Sequence, residues 1–135
     1  MKRLWLVPVL LVTLAVPSCY GQHRIKFTIR AQAPQGEAGP APSIGSVAEV
    51  VGPVALGLGF QSTELLATRA HWRVLEQGHQ VDIEVEESKG AIVVILVDGS
   101  SGVGWWSASH YRAARVQLGK QLRSQFGEAN VTTDA

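Results

Sequence analysis

Between His23 and Arg30 the chain alternates, with Ile25, Phe27 and Ile29 set among Arg24, Lys26, Thr28 and Arg30. A period of two carried by β-branched and aromatic residues predicts a half-buried strand. The competing reading is a tether whose basic residues lie near anionic headgroups. The next stretch, Ala31 to Gly45, is rich in Ala, Gly, Pro and Gln and holds Glu37 as its one charge, which is linker composition. From Ser46 to Leu58 the period changes. Val47, Val50, Val51, Val54 and Leu58 recur at helical spacing, and Ser46 followed by Glu49 fits a capping box. Pro53 falls inside that helix, so a bend or a restart is expected there.

The middle of the chain returns to period two. His71 to Glu76 is a short candidate strand. In Gln80 to Glu87, Val81, Ile83 and Val85 oppose Asp82, Glu84 and Glu86. A turn at Glu87-Ser88-Lys89-Gly90 leads into Ala91 to Val97, which has no polar residue and reads as a central strand or one covered on both faces. The pair predicts a hairpin of one acidic edge strand and one buried strand. After a glycine-rich loop, Asp98 to Gly104, a second helix is expected from about Trp106 to Phe126. Tyr111, Ala114, Leu118, Leu122 and Phe126 form its apolar face, and Gly127 stands at the C′ position. Asn130 to Thr133 is a last edge strand.

The order predicts an α+β fold, a two-layer sandwich with an antiparallel sheet and two helices on one face. The pattern βαββαβ resembles the ferredoxin-like sandwich; with the first strand as a tether, the remainder is an αββα layer. The expected organisation is a signal peptide over 1–18, an N-terminal strand and linker over 19–45, and a small α+β domain over 46–135.

The first residues change this picture. Lys2 and Arg3 precede Leu4 to Val16, an uncharged run of 13 residues. A helix needs about 20 apolar residues to span a bilayer, so this run fits the hydrophobic region of an export signal instead. Losing it removes two of the 12 basic residues and leaves ten against 11 acidic ones. A near-neutral chain of that kind argues against nucleic acid or another polyanion as a general partner.

The run stops at Val16-Pro17-Ser18-Cys19, which resembles the lipobox of bacterial lipoprotein precursors. The resemblance covers residues 1–19 and implies that Cys19 is acylated and becomes the new N-terminus. It further implies a membrane partner held through acyl chains. Tyr20, rather than aspartate, follows the cysteine, which by the same resemblance favours the outer membrane, facing the periplasm. Cys19 is the one cysteine in the chain, so no internal disulfide forms. Acylation accounts for a thiol that would otherwise be open to oxidation.

Signatures of chemistry are sparse. Gly99 and Gly104 have phosphate-loop spacing, but Trp105 and Trp106 stand where lysine and Ser/Thr are needed. His23, His71, His79 and His110 include no helical zinc pair, so no metal and no cofactor is expected. There is no nucleophile elbow and no catalytic residue to name. Binding is expected instead at Trp105 and Trp106, large amphipathic surfaces beside a loop, and along a basic helix face of Arg112, Arg115, Lys120 and Arg123. The sequence therefore predicts a non-catalytic envelope lipoprotein that docks an envelope protein. The alternatives are an inhibitor or immunity-type lipoprotein facing the periplasm, and a small hydrolase in which His71, His79 and a carboxylate converge in one cleft.

Overall fold

A computed structural model describes residues 23–30, 42–76, 79–100 and 109–134. In chain order the elements are β1 (His23–Ile29), α1 (Ile44–Gly57), β2 (Gln61–Leu65), β3 (Arg69–Glu76), β4 (His79–Ser88), β5 (Ala91–Ser100), α2 (Ser109–Phe126), a 3-10 turn (Glu128–Asn130) and β6 (Val131–Asp134). Cys19, Trp105 and Trp106 lie outside the described residues, as do the leader and the segment 31–41.

The strands form one six-stranded sheet in the order β2-β3-β4-β5-β1-β6. Every neighbouring pair is antiparallel. The fold class is α+β, with both helices on one face of the sheet. There α1 packs over β2, β3 and β4, α2 packs over β5, β1 and β6, and the helices touch each other. Between the layers lie Ile25, Phe27 and Ile29 of β1, Trp72 of β3, Val81, Ile83 and Val85 of β4, and Val94 and Leu96 of β5. Val47, Val51, Leu118 and Leu122 meet them from the helices. Burying large apolar side chains of this kind contributes roughly 1.5–3 kcal/mol each, which is the main force holding the layers together.

Several expectations shift in detail. The first strand is a core strand and not a tether, since Ile25, Phe27 and Ile29 are buried and β1 lies between β5 and β6. The first helix starts earlier than Ser46. Ser43 is its N-cap, and the capping box pairs Ser43 with Ser46 rather than Ser46 with Glu49: Ser46 N–H donates to Ser43 Oγ at 3.1 Å and Ser43 N–H to Ser46 Oγ at 2.8 Å. The helix then runs through Pro53 without restarting. Pro53 and Glu49 are both exposed, so water can serve the carbonyl that the proline leaves without its helical donor.

The strand β2 was not foreseen. The acidic strand, expected at the edge, is interior: β3 covers the flank of β4 away from β5, with Arg69↔Glu86 and His71↔Glu84 in register. The expected loop at Asp98 is still strand, because β5 extends to Ser100. The second helix is seen from Ser109, and 106–108 lie outside the described residues.

Candidate functional site

The helix-free face of the sheet is built from the alternate residues of each strand, and pairing arranges them in charged columns. β3 offers Arg69, His71 and Arg73, and β4 offers Asp82, Glu84 and Glu86. β5 supplies an apolar column, Val93, Ile95 and Val97. β1 supplies Arg24, Lys26 and Thr28 on its other side. Val93 and Ile95 are only 5% and 7% exposed although no helix covers them. Side chains flank this column on both sides, in the registers Lys26↔Ile95↔Glu84 and Thr28↔Val93↔Glu86, and the aliphatic stems of the longer ones can shield it from water.

Asp82 is the hub of the acidic column. One of its oxygens accepts from His71 Nε2 at 2.7 Å and from Arg73 Nε at 2.8 Å, while Gln80 donates to the other at 2.9 Å. Burial alone pushes this carboxyl up, but the hydrogen bonds from Gln80, Arg73 and His71 outweigh it and hold the group below its ordinary value. The other nitrogen of His71 meets the hydroxyl of Thr63 on β2. Arg69 donates to both oxygens of Glu64 at 3.0 Å. These groups already have partners, and they tie the β2 edge to the sheet.

A second polar cluster closes the layered core at the end where β1 begins. His79 Nδ1 lies 2.9 Å from the fully buried Asp98 carboxylate. His23 is opposite Asp98 in the pairing, its Nε2 is buried without a hydrogen-bond partner among the described residues, and its ring lies 5.9 Å from that of Tyr111. Burial raises the Tyr111 hydroxyl above its ordinary value, with the Asp98 charge adding to the effect. Beside these, Glu76 accepts the Ser109 N–H at 2.8 Å, the Ser109 hydroxyl, and a hydrogen bond from His110 Nδ1 at 2.8 Å. The bonds from Ser109, then from His110, hold Glu76 below the usual carboxylate value despite the opposing effect of burial. His110 also meets Phe60 edge-on, with ring centroids 6.1 Å apart.

The residues named from the sequence are distributed differently. His71 and His79 lie on opposite faces of the sheet, one bonded to Asp82 and the other to Asp98, so they form no common cleft. Among the described residues no group of three or more His, Cys, Asp or Glu is arranged to hold a metal ion. Arg112, Arg115 and Lys120 are exposed along α2. Arg123 is committed within the domain, donating to Thr133 Oγ1 at 2.7 Å.

Two features escaped the sequence. Asp98 falls in step with Ile92, Val94 and Leu96, and that spacing was the available sign of a buried acid. The other is a groove of about 540 Å³ at the far end of the open face. Its cations are Lys26, Arg30 and Lys89, and its floor includes Ala91 and Val93. Lys89 and Gly90 form the two-residue connection between paired Ser88 and Ala91, with φ of 51° and 78°. Two positive φ values are the mark of a type I′ hairpin turn, which favours Asn, Asp or Gly at both positions. Holding a lysine there costs about 1 kcal/mol.

No family model matches the chain, and neither a curated protein nor a solved structure is similar enough to match it. Among the described residues no helix is long and apolar enough to cross a membrane.

Proposed function

We propose that the chain is a bacterial envelope lipoprotein, anchored through acyl chains on Cys19, whose α+β domain serves as a non-catalytic interaction module. One observation carries the reading: the uncharged run from Leu4 ends at Cys19, and β1 opens at His23, four residues later. Four residues span at most about 14 Å, so the fold starts almost at the acyl attachment point. Two or three acyl chains bury enough methylenes for lasting attachment, at about 0.8 kcal/mol per CH₂.

The non-catalytic reading is supported by the commitment of the polar groups. Glu76 holds both Ser109 and His110 at the start of α2, and His79 is engaged with Asp98. An envelope protein partner then meets Trp105 and Trp106 together with the exposed Arg115 and Lys120 of α2. We read the core as a ferredoxin-like sandwich enlarged by a hairpin. Leaving out β2 and β3, the order is β1-α1-β4-β5-α2-β6 and the strands lie β4-β5-β1-β6, an interleaved pair of βαβ units.

Cell fractionation tests the anchor. The native chain is expected in the membrane pellet as the processed, acylated form, and a Cys19→Ser variant is expected to lose acylation and to accumulate as a precursor that keeps its leader. A Cys19→Ser chain that stays attached and processed contradicts the reading. For the partner, affinity capture from envelope extracts is expected to recover one protein whose yield falls with Trp105→Ala or Trp106→Ala. Capture indifferent to both variants removes the tryptophans from the interface.

A further inference from the structure

We infer that the groove at the β4–β5 turn binds an elongated small anion with two negatively charged ends. Three cations of this chain, Lys26, Arg30 and Lys89, line it, and among the described residues none of them makes an ion pair. Asp134, opposite Lys26 in the β1–β6 pairing, is the one acidic residue in the lining, so the groove keeps an excess of positive charge.

The spacing selects the shape of the ligand. Lys26 and Arg30 are four residues apart on one strand direction, or about 13 Å between their Cα atoms at the usual rise. Two anionic ends can meet the two cations separately, whereas a single phosphate or carboxylate engages both only if the two long side chains bend toward each other and give up rotamer freedom. Lys89 joins Arg30 at the turn end. Val93, Thr28 and Thr132 also line the groove, an environment suited to an aliphatic or weakly polar spacer. A volume of about 540 Å³ falls in the range of small-molecule sites.

A second observation points the same way. The left-handed φ of 51° at Lys89 is strain that Asn or Gly would relieve. The hairpin would be more stable without the lysine, yet Lys89 stands among the residues that line the groove. On the proposed anchoring through Cys19, the anion is soluble rather than a lipid headgroup, because Arg30 and the turn lie at the opposite end of β1 from His23, the strand's end nearer Cys19 in the chain.

The test uses the full-length chain in an uncharged detergent at low salt, with calorimetric titration of suberate, tripolyphosphate and acetate. At least one of the two extended anions is expected to bind about tenfold or more tightly than acetate, with an affinity that falls as salt rises. Stronger suberate binding makes the ligand a dicarboxylate, and stronger tripolyphosphate binding makes it a phosphate chain. Lys26→Ala, Arg30→Ala and Lys89→Asn are each expected to remove that advantage, and Asp134→Asn to increase it. Lys89→Asn is the decisive variant, because its melting temperature should be unchanged or higher while binding is lost. Equal affinity for all three anions, or binding that survives Lys89→Asn and Lys26→Ala, overturns the inference. So does retention on phosphatidylglycerol vesicles through these cations without any response to the soluble anions.

Discussion

Glu76 caps a helix to which it does not belong: its Oε2 accepts the backbone N–H of Ser109, the first residue of α2, at 2.8 Å. The two residues are 33 positions apart and come from the end of β3 and the start of α2. The first turn of α2 has no acidic residue of its own, and Glu76 brings an acceptor and a negative charge to the positive end of the helix dipole.

Replacing Glu76 by Ala should therefore cost about 0.5–2 kcal/mol, the range for removing a helix cap. Chemical denaturation checks the magnitude. Hydrogen exchange should localise it, with the amides of the first turn of α2 losing protection before those of β4 and β5. A variant as stable as the parent would show that the start of α2 is held by other groups.

The same carboxylates set the acid limit of the fold. Both Glu76 and Asp82 are held below their ordinary values, so the unfolded chain takes up protons at these sites before the folded chain does. Their contribution is complete above about pH 5 and is lost as pH falls below the ordinary carboxylate range toward the folded values. Denaturant midpoints measured from pH 7 to pH 3 should decline mainly below about pH 5. The double variant Glu76→Gln, Asp82→Asn should flatten that decline. An unchanged slope would assign the acid sensitivity to other groups.

Pro53 offers the opposite kind of test. It is exposed and lies within α1, and its ring nitrogen cannot donate to the turn before it. Pro53→Ala restores a donor and a good helix former. The gain is expected to be about 1–3 kcal/mol, up to the helix-propensity difference between the two residues. Thermal melting should rise by several degrees. A lower melting temperature would mean that the proline ring makes packing contacts the helix needs.

How far the sequence revealed the fold depended on burial. The β4–β5 hairpin was legible because Val81, Ile83 and Val85 alternate with acids and because Ala91 to Val97 is wholly apolar. β2 was not, since Gln61 to Leu65 is almost entirely exposed and carries no period of two. The acidic column suggested a solvated edge; β4 is interior because its acids face the helix-free side and pair with the basic column of β3. The start of α1 was displaced by one turn because serines stand at both 43 and 46, and the second completes a box that usually ends in Glu or Gln.

The sites were harder to see for a reason of topology. His79 and Asp98 are separated by 19 residues and Glu76 and Ser109 by 33, so only strand register and helix placement bring them together. The groove joins β1, the β4–β5 turn and β6, three parts of the chain with no common motif. Its one local sign was Lys89 before Gly90, an uncommon residue at the first position of a tight hairpin turn.

The anchor is tested most directly by mass spectrometry of the N-terminal peptide from native membranes. The account predicts a peptide that begins at Cys19 and carries the mass of two or three fatty acyl groups. Treatment with globomycin should then leave the uncleaved precursor in its place. A mature chain that begins at any other residue, or a Cys19 peptide without added acyl mass, contradicts it.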